Sequence, residues 1–214
     1  MRIETFYKLL INNLFKKPLL LSIITLLAAC ASSPPQQVDN ICGILEEKGG
    51  WFKDAKRAEK NWQSPIPTMM AIMHQESRFR ATAKPARKKI LWIIPWSRPS
   101  NAYGYPQALD GTWNWYRKST GSWGADRDDF GDAIDFIGWY NAQTHKVNRV
   151  RREDTYSMYL AYHEGHGGFK RKTYQSKTWL KRVANKVSSR AQTYKKQLQG
   201  CEKKLDKGFS LWPF

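Results

Sequence analysis

Apolar residues recur every three or four positions in seven stretches of the chain, and proline, glycine or capping residues separate them, so the pattern predicts a mainly α fold. Ile41, Ile44 and Leu45 form the apolar side of a short first helix, capped by Asp39 or Asn40 and ended by Gly49-Gly50. Trp51, Ala55, Ala58 and Trp62 mark a second helix. Ser64-Pro65-Ile66-Pro67-Thr68 then supplies cap and first-turn chemistry for a third. Helical patterns return over 110–119, 132–143 and 155–163, where Gly165, Gly167 and Gly168 are placed to stop the last of them. From Lys177 to Lys204, Leu180, Val183, Val187, Ala191, Tyr194, Leu198 and Cys201 define a long amphipathic helix with a basic outer face. Residues 81–101 break the helical period with three prolines and a short apolar run, and predict a β-hairpin or a long loop.

The third helix carries the chain's most informative departure from pattern. Met69, Ile72, Met73 and Glu76 fall at i, i+3, i+4 and i+7, and Phe79 continues the stripe, so a carboxylic acid stands where a leucine belongs. Burial against Met and Ile disfavours the charged form, and the negative end of the helix dipole acts in the same sense. A glutamate so placed is suited to general acid catalysis near neutral pH. The alternative is that Glu76 ends its helix, turns to solvent and pairs with Arg78 or Arg80.

The N-terminus reads as an export signal. Arg2, Lys8, Lys16 and Lys17 precede an apolar run from Leu19 to Ala29 that is too short to span a bilayer comfortably. The run ends in Leu27-Ala28-Ala29-Cys30, which resembles a bacterial lipobox and implies cleavage before Cys30 and its lipidation. An ordinary signal peptide or a short membrane anchor is the alternative. Residues 30–38 then form a lipidated N-terminus and tether, 39–207 a single domain, and 208–214 a short aromatic tail.

The 214-residue chain has a formal charge of +18, and residues 1–29 hold four basic residues and one acidic, so +15 remains beyond them. Such charge attracts any polyanion, while an export signal selects the cell wall or the membrane over nucleic acid. In an oxidising compartment Cys42 and Cys201 are expected to form a disulfide joining the two ends of the domain, the alternative being two buried thiols.

Glu76-Ser77, then Tyr103-Gly104-Tyr105-Pro106-Gln107, Thr112, Ile137-Gly138-Trp139-Tyr140 and Ala161-Tyr162-His163-Glu164-Gly165 follow one another in order. With those gaps the chain resembles the SLT-domain lytic transglycosylases, relatives of goose-type lysozyme, over roughly residues 64–170. The resemblance implies a lysozyme-like single domain. It makes Glu76 the catalytic acid, with Ser77, Tyr103, Gly104, Gln107, Tyr162 and His163 as substrate-binding residues. The family's Gly-Leu-Met-Gln appears here as Gly104-Tyr105-Pro106-Gln107, and histidine replaces asparagine after Ala161-Tyr162. In the family the tyrosine matched by Tyr162 contacts the catalytic carboxylate. The segment from Glu76 to Gln107 is longer than usual, the excess lying in 84–100.

The activity implied is cleavage of the bond between N-acetylmuramic acid and N-acetylglucosamine without water, leaving a 1,6-anhydro end. One glutamate serves, assisted by the substrate's acetamido group, and no cofactor or metal is required. Glu164 is a possible second carboxylate, which would make the protein a hydrolase. His163-Glu164-Gly165-His166 lacks the i, i+4 histidines of a zincin, and His74-Gln75-Glu76 lacks the cysteines of a zinc deaminase. The expected partners are peptidoglycan glycan strands and, through the N-terminal lipid, the outer membrane facing the periplasm. A non-catalytic wall-binding lipoprotein within an envelope assembly is the reading from a different class. Ten tryptophans suit a sugar-binding cleft, with Tyr103, Tyr105, Trp113 and Trp115 nearest the second motif, although core packing accounts for most aromatic residues.

Overall fold

The computed structural model describes residues 33–87, 89, 90, 94, 95 and 99–210. The expected signal peptide, Cys30, the apolar part of the 84–101 insertion and the aromatic tail therefore lie wholly or largely outside the described residues. The described helices belong to one compact unit that begins at Pro34. Their order is α1 (Ile41–Glu47), α2 (Trp51–Trp62), α3 (Ile66–Ser77), α4 (Asp110–Thr120), α5 (Phe130–Asn148), α6 (Thr155–Lys170) and α7 (Thr178–Ser210). A short 3-10 turn, Thr173–Ser176, precedes α7. Strands β1 (Lys89–Ile90) and β2 (Ile94–Pro95) pair antiparallel, with Ile90 opposite Ile94, so the insertion holds a minimal hairpin.

Capping follows the sequence in part. The Asn40 side chain accepts from the amides of Cys42 and Gly43, Asp129 accepts from Asp132 N, and Asp154 from Ser157 N. At α3 the expected cap differs. Pro65 opens the helix without a side-chain cap, and the Ser64 hydroxyl instead accepts from Asn141 Nδ2 at 2.9 Å. The Thr68 and Thr155 hydroxyls meet at 2.7 Å in the interior, which ties the start of α3 to that of α6.

Helix α3 is central. Met69, Met70, Ala71, Ile72 and Met73 are all fully buried, so it is covered on nearly every side and is not the one-faced amphipathic helix that its stripe predicts. It packs against α7 and α5, while α2 packs against α5 and α6 against both α5 and α7. Close approach at Gly138 permits this layering, since a Cβ there would lie 2.9 Å from the Trp62 ring and 3.1 Å from Met69 Sδ. Asp135 accepts from Trp62 Nε1 and from the Tyr116 hydroxyl, both at 2.8 Å, and so joins α2 and α4 to α5.

The ends of the domain are bound together. Cys42 and Cys201 form a disulfide across 159 residues of sequence, and Tyr194, Gln197 and Arg190 of α7 hold Val38 and Asp39 by hydrogen bonds. Residues 34–38, part of the expected tether, lie against the domain. Pro35 is buried and Gln36 N donates to Glu47 at 2.9 Å, because the chain is already laid on the domain there.

Two helix ends depart from expectation in ways that shape the site. Immediately after α3, Arg78 and Phe79 both adopt left-handed φ, 51° and 59°, which bulky residues seldom tolerate. That turn drives Phe79 into the core, against His74 and Trp51. In α6, Gly165 (φ 71°, ψ 158°) interrupts the helix, yet the chain resumes helical geometry to Lys170 instead of stopping.

Candidate active site

The last turn of α3 places Glu76 in the wall of an open cavity of about 410 Å³. Its other walls are Gln107, Leu109 and Thr112 before and within α4, Phe136 and Tyr140 of α5, and Tyr162, His163 and Glu164 of α6. Another cavity, of about 420 Å³, lies among α2, the start of α3 and α7, and contains none of the motif residues.

Glu76 is partly open to the cleft, but its carboxyl is deep in the fold. Burial raises its pKa from 4.5 to about 7, and a hydrogen bond with the Tyr159 hydroxyl opposes that rise. Among the described residues it makes no ion pair with Arg78 or Arg80, and Arg80 Nε donates instead to the Ser77 carbonyl. The group is an acid poised to hold or release one proton near neutrality.

Glu164 shares the cavity but is committed elsewhere. Lys177 Nζ lies 2.7 and 2.9 Å from its two oxygens, the Thr173 hydroxyl donates to it, and His163 Nδ1 is 3.1 Å away. Burial would raise its pKa, yet these partners together hold it near 2. It is an ionised, neutralised carboxylate.

The motif residues divide into cavity walls and scaffolding. Gln107, Tyr162 and His163 line the cavity; Ser77, Tyr103 and Gly104 do not. Ser77 is buried and its hydroxyl donates back to the Met73 carbonyl at 3.2 Å. Tyr103 turns away, donating to Asp128 at 2.9 Å beneath the Arg127 guanidinium and Lys84. Gly104 has φ 77°, and a Cβ there would stand 2.1 Å from the Arg127 carbonyl, so it is glycine for backbone approach. Tyr105 and Trp113 are core residues, Tyr105 against Trp51 and Phe130, and Trp113 against Tyr116 and Phe136.

Tyr162 stands beside Glu76, whose charge adds to burial in raising the Tyr162 pKa. Its hydroxyl donates to the Pro106 carbonyl at 2.7 Å, fixing the 104–107 turn beside the cleft, while Tyr159, one turn earlier on α6, bonds to Glu76. Gln107 supports the same turn, its Nε2 donating to the carbonyls of Ala83 and Gly104, both at 2.9 Å. Leu109, Phe136 and Tyr159 are site residues that motif reasoning missed. The i, i+3 spacing of Tyr159 from Tyr162 was the available signal, since it puts both on one face of α6.

A helical fold of this layering, with a buried carboxylic acid at the end of its central helix, is that of a lysozyme-like domain. The chain belongs to the Transglycosylase SLT domain family, which matches residues 18–201. Members of that family are lytic transglycosylases acting on peptidoglycan. No curated protein matches the chain.

Proposed function

We propose that this protein is itself a peptidoglycan lytic transglycosylase with Glu76 as its acid and base. The observation that carries the reading is a single proton-holding carboxyl, raised to about 7, at the wall of the cleft. Protonated Glu76 gives its proton to the oxygen linking muramic acid to glucosamine. As the C1–O bond breaks, the acetamido oxygen of the muramoyl residue closes on C1 and takes up the positive charge. Ionised Glu76 then removes the proton from the C6 hydroxyl, whose oxygen bonds to C1 and expels the acetamido oxygen. The product carries a 1,6-anhydro ring, Glu76 is protonated again, and no water is consumed.

Glu164 in the same cavity favours a second reading, a muramidase-type hydrolase with two carboxylates. Its pairing with Lys177 weakens that reading, because a neutralised carboxylate is a poor base and a poor stabiliser of a cation. We further propose that the protein is exported and anchored through lipidated Cys30 in the outer membrane, with the domain in the periplasm. Palmitate labelling that disappears in Cys30→Ala tests this.

The test of the enzymatic reading is Glu76→Gln, which keeps the shape of the side chain and removes the proton. The variant is expected to fold, to bind peptidoglycan and to lose cleavage by at least about 100-fold; retained cleavage would exclude Glu76 as the acid.

A further inference from the structure

The cavity beside Glu76 is at the small end of the range for small-ligand sites, so a strand of linked hexosamines must continue past its walls. The structure has a built surface at one such edge. On α7 the buried stripe starts with Leu180 and runs through Ala184 and Val187, and Trp179 is turned about 100° away from it. Trp179 is 49% exposed, on a face where Arg182 and Lys186 are also exposed, and so contributes little to the core. Its ring meets the His163 ring edge-on, with centroids 5.2 Å apart, and His163 lines the Glu76 cavity.

This aromatic pair is held from below. His163 Nδ1 contacts Glu164, whose side chain is only 3% exposed, and Glu164 takes both of its short bonds from Lys177, two residues before Trp179. The ion pair thus fixes the start of α7 against α6, and Leu180 fixes it against the core. A ring immobilised in advance loses little freedom on binding. Among the described residues the other strongly exposed tryptophans are spoken for differently: Trp123 lies against Arg117 and Trp115 against Trp139.

We propose that Trp179, backed by His163, is a stacking platform for the N-acetylhexosamine ring next outside the Glu76 cavity, and that Glu164 and Lys177 are its positioning clasp. Pyranose rings joined β-1,4 present C–H groups on their faces, which suit the electron-rich face of an indole. The proposal rests on the glycan-cleaving reading of the site and assigns Glu164 a role that needs no second catalytic acid.

Binding is measured by calorimetry with β-1,4-linked N-acetylglucosamine dimer and hexamer, in the Glu76→Gln background so that no ligand is consumed. Trp179→Ala is expected to weaken hexamer binding about 5- to 10-fold, to leave dimer binding within twofold, and to keep the melting temperature; Trp179→Phe should recover most of the loss. Lys177→Ala should weaken hexamer binding in the same direction, with little added by Trp179→Ala on top of it. Hexamer affinity unchanged in folded Trp179→Ala, or a parent that binds no hexamer, would overturn the platform. Product formation by the Glu76 protein is assayed separately. A parent that binds through Trp179 but cuts nothing would defeat the transglycosylase reading and leave the platform standing.

Discussion

Lys177 Nζ lies within 2.7 and 2.9 Å of the two carboxylate oxygens of Glu164, a residue that faces the same cavity as Glu76. One cleft therefore contains two glutamates in opposite states, one ionised and paired, the other protonated near neutrality. Removing the cation should expose the difference. Lys177→Ala leaves a buried carboxylate with two remaining partners and is expected to cost about 1–3 kcal/mol of stability, read by urea denaturation. Glu164→Gln should lower cleavage by less than about 10-fold and leave the product type unchanged, whereas a second catalytic carboxylate would lose at least about 100-fold.

Glu76 and His74, two residues apart on α3, should give stability opposite slopes with pH. Glu76 has a pKa of about 7 in the fold against 4.5 ordinarily, so the folded state holds that proton more tightly, and stability falls as pH rises from 4.5 to 7. His74 is buried with no hydrogen-bond partner among the described residues, and burial, with Arg190 and Arg78, depresses its pKa from 6.5 to about 4 against the pull of Asp39 at 3.9 Å. Its contribution is complete above pH 6.5 and is lost as pH falls to 4. Above pH 7, Glu76→Gln is expected to exceed the parent in stability by about 1–3 kcal/mol, and the gain should vanish near pH 4. Melting curves across that range check both signs.

The Tyr159 hydroxyl lowers the Glu76 pKa, so Tyr159→Phe should raise it. In the parent, kcat/KM should decline above pH 7 as Glu76 loses its proton, and in Tyr159→Phe that decline should begin at higher pH. Tyr162→Phe is expected instead to act through the 104–107 turn, raising KM without moving the pH limb, because its hydroxyl holds Pro106.

The disulfide and Gly104 set the stability of the frame. Replacing Cys42 and Cys201 by alanine releases a 159-residue span and is expected to cost up to about 5 kcal/mol on the chain-entropy account. Gly104→Ala forces a Cβ against the Arg127 carbonyl in left-handed backbone and should cost about 2–4 kcal/mol. Denaturant titrations of each variant measure these losses.

Local chemistry in the chain is enough to locate the helices. The 3.6-residue period and the Gly and Pro stops place α1, α2 and the inward side of α7, and one glutamate among Met and Ile marks the carboxyl that burial raises to about 7. What the period cannot give is how many faces of a helix are covered. Met70 and His74 lie off the α3 stripe, yet both are buried because α7 and α5 close over the helix from other sides. Motif order likewise names Tyr162 but not its partner. The Tyr162 hydroxyl bonds to the Pro106 carbonyl, a contact made across 56 residues that motif order does not show. Glu164 shows the same limit, since its neutralisation comes from Lys177, 13 residues on and just before the next helix.

The central claim, one proton-holding glutamate cutting glycan without water, is tested most directly by mass spectrometry of peptidoglycan digested with the domain from Ser33 onward, beside its Glu76→Gln variant. The account predicts muropeptides lighter by one water, with 1,6-anhydro ends, from the Glu76 protein and none from the variant. Reducing-end products, or anhydro products from both proteins, would contradict it.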